Sequence, residues 1–216
     1  MSWKSLREAR RYVLWALAAE ILLLPLGLRR GALLAGTSLA CLAFFRDPHR
    51  ELPDDPDLVY APADGVVVGV DREQDKWLGD EDAVRISTFL SIADVHVNRS
   101  PVAGEIVEAE TVGGGYAPAF LGRADRNHRK RLAVEQNGRR VVVVQIAGLI
   151  ARRISSWAWL GDRVAAGQRI ALIHFGSRAE VLVPAASAEP VARVGQRVRA
   201  GVTPLARYTG GAAVAA

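Results

Sequence analysis

A stretch that occurs twice decides the fold of this chain, first as Gly161-Asp162-Arg163-Val164-Ala165-Ala166-Gly167-Gln168-Arg169-Ile170. The second copy is Gly195-Gln196-Arg197-Val198-Arg199-Ala200-Gly201-Val202-Thr203-Pro204. Both copies follow the pattern Gly-x-x-Val-x-Ala-Gly, in which a glycine stands on each side of a short segment centred on valine. Because glycine punctuates chains at tight turns, each copy predicts turns.

A second repeat supports the first. Pro62-Ala63-Asp64-Gly65-Val66-Val67 resembles Pro101-Val102-Ala103-Gly104-Glu105-Ile106. Turns of both kinds resemble those of the lipoyl and biotinyl carrier domains, which are flattened β-sandwiches. We therefore expect a mainly β fold whose core is a lipoyl/biotinyl-like β-sandwich, a barrel-sandwich hybrid, in duplicated or elaborated form.

Short β-type segments fill the chain after residue 57, and few long helical periods occur there. Glycine, proline and aspartate separate the segments at the intervals of a sandwich or barrel. The predicted strands are Gly65–Val70, Ala83–Phe89, Gly104–Glu110, Leu132–Gln136, Arg140–Ile146, Arg169–Ile173 and Ala179–Val183.

The composition of the chain indicates which partners suit it and excludes some kinds of site. The chain has 216 residues and a formal net charge of +5, which suits a protein that works near anionic phosphates. The one cysteine, Cys41, excludes an intrachain disulfide and a cysteine metal site. No pair of the four histidines has metal-ligand spacing, so we predict no metal.

The N-terminal region differs from the rest. Two apolar runs, Tyr12–Leu28 and Gly31–Phe45, are separated by Arg29-Arg30, and more arginines lie on their outer flanks. Each run is slightly shorter than the roughly 20 residues of a spanning helix. We predict a membrane-associated helical hairpin in residues 1–50 and a β-rich catalytic domain in residues 51–216. A buried core hairpin and a signal peptide are the alternatives. The arginines outside the loop place the bulk of the protein on the cytoplasmic side of the cell membrane.

The Gly176-Ser177 bond follows the predicted strand Arg169–Ile173. Glycine lets the backbone distort there, so that the Ser177 hydroxyl can attack the preceding carbonyl and convert the peptide into an ester. Elimination then cuts the chain and leaves Ser177 as an N-terminal ketone, a pyruvoyl group. A plain strand end followed by a turn is the simpler interpretation of a Gly-Ser pair taken alone.

A serine hydroxyl needs a base, and histidine is the usual one. His96 lies in Asp94-Val95-His96, and Asp64 lies in Pro62-Ala63-Asp64-Gly65. A carboxylate can fix the tautomer of such a histidine and stabilise its positive charge. Asp64, His96 and Ser177 are therefore candidates for a catalytic triad, although each one alone is more often a turn residue or an ordinary hydrogen-bonded residue.

Five motifs occur in an order that resembles one family, the short form of the phosphatidylserine decarboxylases. They are Phe44-Phe45-Arg46-Asp47-Pro48; Tyr60-Ala61-Pro62-Ala63-Asp64-Gly65; Asp94-Val95-His96 with Pro101; Val144-Gln145-Ile146-Ala147-Gly148 with Ala151-Arg152-Arg153-Ile154; and His174-Phe175-Gly176-Ser177. The resemblance runs from about residue 44 to about residue 184.

The resemblance implies a proenzyme that cuts itself between Gly176 and Ser177 into a β chain, residues 1–176, and an α chain, residues 177–216. The pyruvoyl group derived from Ser177 is the implied cofactor, and it forms a Schiff base with the amine of phosphatidylserine in an anionic membrane. Carbon dioxide leaves, and phosphatidylethanolamine is the product. The sequence leaves a homo-oligomer open, and it does not distinguish a diacyl from an ether lipid.

Two residues depart from the family pattern. Many relatives carry two histidines in an Asp-Tyr-His-Arg-x-His-x-Pro motif, whereas Arg99 stands here at the second histidine position. His96 then serves both self-cleavage and protonation, or His174 takes one of these roles as an auxiliary residue. Arg178 follows the nucleophile, where many relatives have a small hydroxyl residue.

The segment 113–131 is rich in glycine and then in cations, including Arg129, Lys130 and Arg131. We predict a mobile lid whose cations meet lipid phosphates, with a solvated loop as the alternative. Two other classes of function are alternatives. One is a non-enzymatic lipoyl-like carrier or membrane-bound interaction module, but a carrier needs a lysine at a hairpin tip and none of the turns named above presents one. Nucleic-acid binding is not expected, because the aromatic residues do not alternate with the cations.

Overall fold

The computed structural model describes residues 2–22, 30–52, 55–79, 81–117, 125–149, 152–175 and 177–209. The chain divides into two compact units, Met1–His49 and Arg50–Ala216. The smaller unit is helical, and the larger unit is built mainly from strands.

Two helices form the first unit, α1 (Trp3–Leu22) and α2 (Arg30–Phe44). They pack against each other, and Glu20 Oε1 accepts a hydrogen bond of 2.6 Å from the Leu34 N–H. The residues that connect them, 23–29, lie outside the described part of the chain. Among the described helices, neither combines the length and the hydropathy that crossing a membrane requires.

Strands and one short helix make up the second unit in the part of the chain that the structure describes. The strands are β1 (Leu58–Tyr60), β2 (Gly65–Asp75), β3 (Glu81–Leu90), β4 (Val97–Arg99), β5 (Gly104–Val112), β6 (Arg129–Gln136), β7 (Arg139–Ile146), β8 (Ile154–Ser156), β9 (Arg163–Val164), β10 (Arg169–Ile173), β11 (Ser177–Pro184), β12 (Ala188–Pro190), β13 (Arg197–Val198) and β14 (Pro204–Tyr208). A 3-10 helix, Lys76–Leu78, lies between β2 and β3.

The strands form three antiparallel sheets. The largest is a curled sheet of eight strands in the order β13-β2-β3-β11-β7-β6-β5-β9. Two sheets of three strands accompany it, with the orders β4-β10-β8 and β1-β14-β12. The prediction of a mainly β, sandwich-like fold with an N-terminal helical segment is confirmed. All seven strands predicted from the sequence are present, most of them extended by a few residues at their ends.

The repeated stretch has the same backbone in both copies. Gly161 and Gly195 both have φ of 86°, and Gly167 and Gly201 both have φ of 71°. These are left-handed conformations that residues with a Cβ adopt only with strain, so glycine at all four positions is explained by the turns. The predicted repeat is therefore confirmed at the level of backbone geometry.

Each copy of the repeated stretch pairs with a strand that begins at the glycine of the other repeated motif. Val198 pairs with Gly65 at the start of β2, and Val164 pairs with Gly104 at the start of β5. The hydrogen bonds correspond as well: the Gly195 N–H donates to the Val67 carbonyl and the Gly161 N–H to the Ile106 carbonyl, both at 2.8 Å. The two sequence repeats thus interlock as a duplicated unit around one core.

The central strands of the large sheet, β7 and β11, are buried on both faces, which explains the continuous valine run in β7. Val141 and Val143 join a core cluster with Val181 of β11, whereas Val142 and Val144 pack on the opposite face with Trp77. Side chains of a strand point alternately to opposite faces, so a strand covered on both sides needs apolar residues at every position.

Candidate active site

Ser177 is the first residue of β11, at the end of the large sheet. It pairs with Leu90, the last residue of β3, and its side chain is fully buried. Its Oγ is buried and has no hydrogen-bond partner among the described residues. Buried hydroxyl groups nearly always have a partner, so an isolated one indicates a functional role or a group that is missing from this state. Gly176, the other residue of the predicted cleavage site, lies outside the described residues.

The backbone is strained just before the predicted cleavage site. Phe175 has φ of 42°, in the left-handed region that non-glycine residues rarely adopt. Such a conformation costs about 1–3 kcal/mol and tends to occur where strain serves function. Strain next to the Gly176-Ser177 bond is what a self-cleaving peptide requires.

His96 is tied to the segment that leads to Ser177. It lies just before β4 and is fully buried, and its carbonyl accepts a hydrogen bond of 3.2 Å from the Ile173 N–H. Its Nδ1 lies 2.9 Å from the Asp94 carbonyl oxygen. A carbonyl only accepts, so Nδ1 carries the hydrogen, and the lone pair of the neutral ring is on Nε2. His96 is therefore held in the tautomer that can act as a base through Nε2.

The loop that orients His96 is fixed by the Asp94 carboxylate. Oδ2 accepts from the Ser91 N–H at 2.9 Å and from the Ser91 hydroxyl at 2.6 Å, and Oδ1 accepts from Arg197 at 3.0 Å. Burial alone raises the pKa of Asp94, but the hydrogen bonds from Ser91 and the charge of Arg197 outweigh it and lower the pKa. The carboxylate therefore stays ionised and keeps the loop closed at neutral pH.

Asp64, predicted to orient His96, has its hydrogen bonds elsewhere. Its two carboxylate oxygens each accept from the Arg50 guanidinium at 2.7 Å, and Oδ1 also accepts from the Ala200 N–H at 2.8 Å. Its neighbour Ala63 packs with Leu90 and Ala179 beside Ser177. The structure thus brings the segments of all three candidates together, but the group that fixes the His96 tautomer is the Asp94 main-chain carbonyl.

His174, the auxiliary candidate, is fully buried three residues before Ser177. Its Nε2 lies 3.0 Å from Ser155 Oγ, which also accepts a hydrogen bond of 3.2 Å from Arg153 Nε. The His174 N–H donates to the Arg153 carbonyl at 3.0 Å. His174 therefore connects β8 to the cleavage segment as well as being a titratable group close to it.

The two departures from the family pattern are both accommodated by contacts with the protein. Arg99 is buried and donates to the Gly167 carbonyl at 3.1 Å, so it braces the repeated turn. Arg178 lies on the sheet face opposite to Ser177, where it forms ion pairs with Asp125 and with Glu180. Burial raises the pKa of Glu180, and the neighbouring arginines act against this rise.

The cationic residues predicted as a mobile lid belong to a strand instead. Arg129, Lys130 and Arg131 begin β6, while residues 118–124 lie outside the described part. Lys130 is buried, donates to the Ala158 carbonyl at 3.2 Å and lies 4.4 Å from the Trp159 ring centroid. The lid prediction is therefore wrong for these three residues, because a long cationic side chain can cover an apolar face with its stem.

Asn127 belongs to a stretch that partly matches the short family forms, but the sequence assigns it no role. It is buried, and its Nδ2 donates to the carbonyls of Ala117 at 2.8 Å and Ala147 at 2.9 Å. Its Oδ1 accepts from the Ala117 N–H at 2.7 Å. Asn127 thereby joins two loops at the end of the sheet where Ser177 lies. No group of histidine, cysteine and acidic residues in the described part of the chain could hold a metal ion.

The fold and site together define a mainly β protein with a buried serine at the start of a strand, a strained backbone two residues before it, and a buried histidine whose Nδ1 is hydrogen-bonded to a main-chain carbonyl. The sequence model of the family described as phosphatidylserine decarboxylase matches residues 38–206. The chain belongs to this family.

Individual relatives agree with the family model over nearly the whole chain. One from Symbiobacterium thermophilum, named phosphatidylserine decarboxylase proenzyme, is 44% identical over 204 residues, which cover 93% of this chain and 94% of the relative. A relative of the same name from Erythrobacter litoralis is 41% identical over 95% of this chain and 89% of the relative. Another, from Mycobacterium tuberculosis, is 45% identical over 80% of this chain and 78% of the relative. This membership does not favour the alternative of a non-enzymatic carrier.

Proposed function

We propose that this chain is a proenzyme that cuts itself between Gly176 and Ser177 and then decarboxylates phosphatidylserine to phosphatidylethanolamine. Family membership supports the reaction, and relatives at 41–45% identity carry the name of the proenzyme. The single observation that carries the site assignment is the isolated, buried Ser177 Oγ, two residues after the strained Phe175 backbone.

Self-cleavage follows from the chemistry of the proposed residues. His96 Nε2 takes the Ser177 hydroxyl proton, and the oxygen attacks the Gly176 carbonyl carbon, so that an ester bond replaces the peptide bond. Loss of the Ser177 α-proton then breaks the ester and leaves Gly176 with a free carboxylate. The resulting N-terminal enamine takes up water and releases ammonia, which leaves a pyruvoyl ketone on residues 177–216.

The pyruvoyl group fits the position of Ser177. It requires a buried site at a chain start where a ketone is shielded from water, and Ser177 is fully buried at the first position of β11. When present, the ketone supplies an electron sink for decarboxylation of an amine substrate. His96, held by the Asp94 carbonyl, is the proposed group that returns a proton to the product, with His174 as auxiliary.

Serine and histidine variants test this assignment. Ser177→Ala has no oxygen to attack with and should give one uncut chain without decarboxylase activity, and His96→Ala should slow cutting strongly. Intact mass after expression measures both effects. Ser187→Ala and His49→Ala, which change exposed residues, are the matched controls and should be cut as the wild-type chain is. A Ser177→Ala protein that still decarboxylates phosphatidylserine would refute the proposal.

We also propose that residues 1–50 hold the enzyme on an anionic membrane, with the catalytic domain on the cytoplasmic side. The support is the exposure of large apolar side chains on the helices, among them Trp3, Trp15 and Leu39 at 79%, 74% and 70%. Tryptophan is enriched at membrane interfaces, and exposed apolar residues beside cations suit a helix that lies in the interface.

Truncation tests the membrane proposal. Deletion of residues 1–45 should move the protein from the membrane to the soluble fraction without loss of the folded β domain. In vesicles of known orientation, protease should reach the β domain only from the cytoplasmic face. A truncated protein that aggregates, beside a full-length protein that is soluble without detergent, would assign the helices to the core instead.

A further inference from the structure

The sheet face that carries Ser177 changes from apolar to polar one row before the serine. In the strand register, one row across β3, β11, β7 and β6 consists of buried apolar residues: Ile86, Val181, Val143 and Leu132. The next row towards Ser177 consists of Thr88, Ala179, Gln145 and Lys130. Three of these four residues are polar, and all four are buried.

Gln145 has no partner for its amide in this row. It is fully buried, and neither Oε1 nor Nε2 has a hydrogen-bond partner among the described residues. Thr88 is also fully buried, and its hydroxyl has no hydrogen-bond partner among the described residues either. Ala179, with only a methyl group, lies between them in the row. Buried polar groups without partners are rare, and two of them on either side of a small residue indicate a place prepared for another molecule.

The position of Gln145 relative to Ser177 suits a ligand bound at the serine. Ala179 faces the same side as Ser177, two residues along β11, and Gln145 lies directly opposite Ala179. Gln145 is therefore the diagonal cross-strand neighbour of Ser177, and such neighbours are about 7–8 Å apart. A molecule attached at Ser177 can reach the amide with an atom a few bonds from its point of attachment. None of the residues assigned to self-cleavage uses this amide.

We infer that Gln145 and Thr88 bind the polar headgroup of the phospholipid substrate through one of its anionic oxygens. This inference rests on the proposed function, because it places the headgroup amine at Ser177. The amide N–H groups and the threonine hydroxyl donate to the anionic oxygen, and Lys130, opposite Gln145 in the register, adds positive charge to the row. Two anionic groups of the headgroup meet this description, the serine carboxylate and the phosphodiester.

The test uses the full-length enzyme and Gln145→Leu, with phosphatidylserine in mixed micelles as the substrate. The variant should be cut to the same two fragments and should melt at the same or a higher temperature, because leucine removes two polar atoms that have no partner. KM should rise at least about tenfold, beyond the change in kcat. Thr88→Val should shift KM in the same direction. Gln136→Leu, which changes an exposed amide at the opposite end of β6, is the control and should leave KM unchanged.

Product inhibition shows whether Gln145 binds the carboxylate or the phosphodiester. Phosphatidylethanolamine keeps the phosphodiester and lacks the carboxylate. Weaker inhibition of Gln145→Leu by this product assigns the phosphodiester to Gln145, and unchanged inhibition with a raised KM assigns the carboxylate. Both results support the inference.

Two results would overturn it. One is an unchanged kcat and KM in Gln145→Leu, and the other is a failure of cutting in both Gln145→Leu and Gln145→Met, which would place the amide in the cleavage step. A wild-type enzyme that is cut but shows no decarboxylation would instead refute the proposed function.

Discussion

The Arg50–Asp64 ion pair offers a sharp test of how the candidate carboxylate acts. The structure joins the two side chains by two hydrogen bonds of 2.7 Å, and they are 9% and 14% exposed. If Asp64 acts by holding this pair and the Ala200 N–H, then Asp64→Asn and Arg50→Met should have similar effects on stability and on cutting. A direct role on His96 would make Asp64→Asn far more damaging to cutting.

The magnitude follows from the burial of the pair. Removing one partner of a buried ion pair costs about 3–5 kcal/mol, and the residual exposure of both side chains favours the lower end, about 3 kcal/mol. For a domain of this size, about 1 kcal/mol lowers Tm by about 2–4 °C, so each single change should lower Tm by about 6–12 °C. The double variant Arg50→Met/Asp64→Leu should recover most of this loss, because it leaves no unpaired charge.

The assay combines thermal unfolding with the fraction of cut chain measured by intact mass. We expect both single variants to be destabilised and to be cut more slowly by comparable factors. An Asp64→Asn protein with the wild-type Tm but no cutting would refute this reasoning and return Asp64 to the orientation of His96.

Two further predictions concern the sheet. In a denaturant titration, Gly104→Ala should lower the free energy of unfolding by about 3 kcal/mol or more, because its Cβ would lie 2.3 Å from the Glu135 carbonyl oxygen at φ of 151°. Gly138 has φ of 74° and no atom within 4 Å of the position of a Cβ, so Gly138→Ala should lower it by only about 1 kcal/mol. Burial lowers the pKa of Lys130 in the folded protein below its ordinary value of 10.5. At pH values between these two pKa values the unfolded chain binds more protons than the folded chain, so the free energy of unfolding of the wild-type protein should rise with pH. Lys130→Met should abolish this rise in unfolding experiments across alkaline pH, and an identical pH profile for the variant would contradict the burial of the charge.

The long strands could be predicted from the sequence because local pattern and tertiary burial agree there. The valine run of β7 and the glycines at both ends of the repeated stretch leave few alternatives. The shortest strands, such as β9 (Arg163–Val164) and β13 (Arg197–Val198), have two residues each and show no periodicity of their own. The sequence predicted neither strand, because each forms only by pairing with a partner, Gly104 or Gly65, that is far away in the chain.

The site could be predicted as a set of residues but not as a set of contacts. The sequence identifies His96 and Ser177, and β10 connects their segments through the Ile173 N–H. A main-chain carbonyl, however, orients His96, and no pattern of side chains reveals a main-chain partner. The sequence shows Gln145 only as a member of a motif. Its position diagonally across from Ser177 depends on the register of β7 with β11, which the sequence does not predict.

Ser177 must be both the nucleophile and the precursor of the ketone, and the mass of the smaller fragment shows whether it is both. We expect purified wild-type protein to give residues 177–216 as a fragment about 17 Da lighter than one with an N-terminal serine, since ammonia is lost. Borohydride added with phosphatidylserine should attach the lipid to this fragment alone. An active protein whose smaller fragment begins with unmodified serine, or whose chain is uncut, would contradict the account.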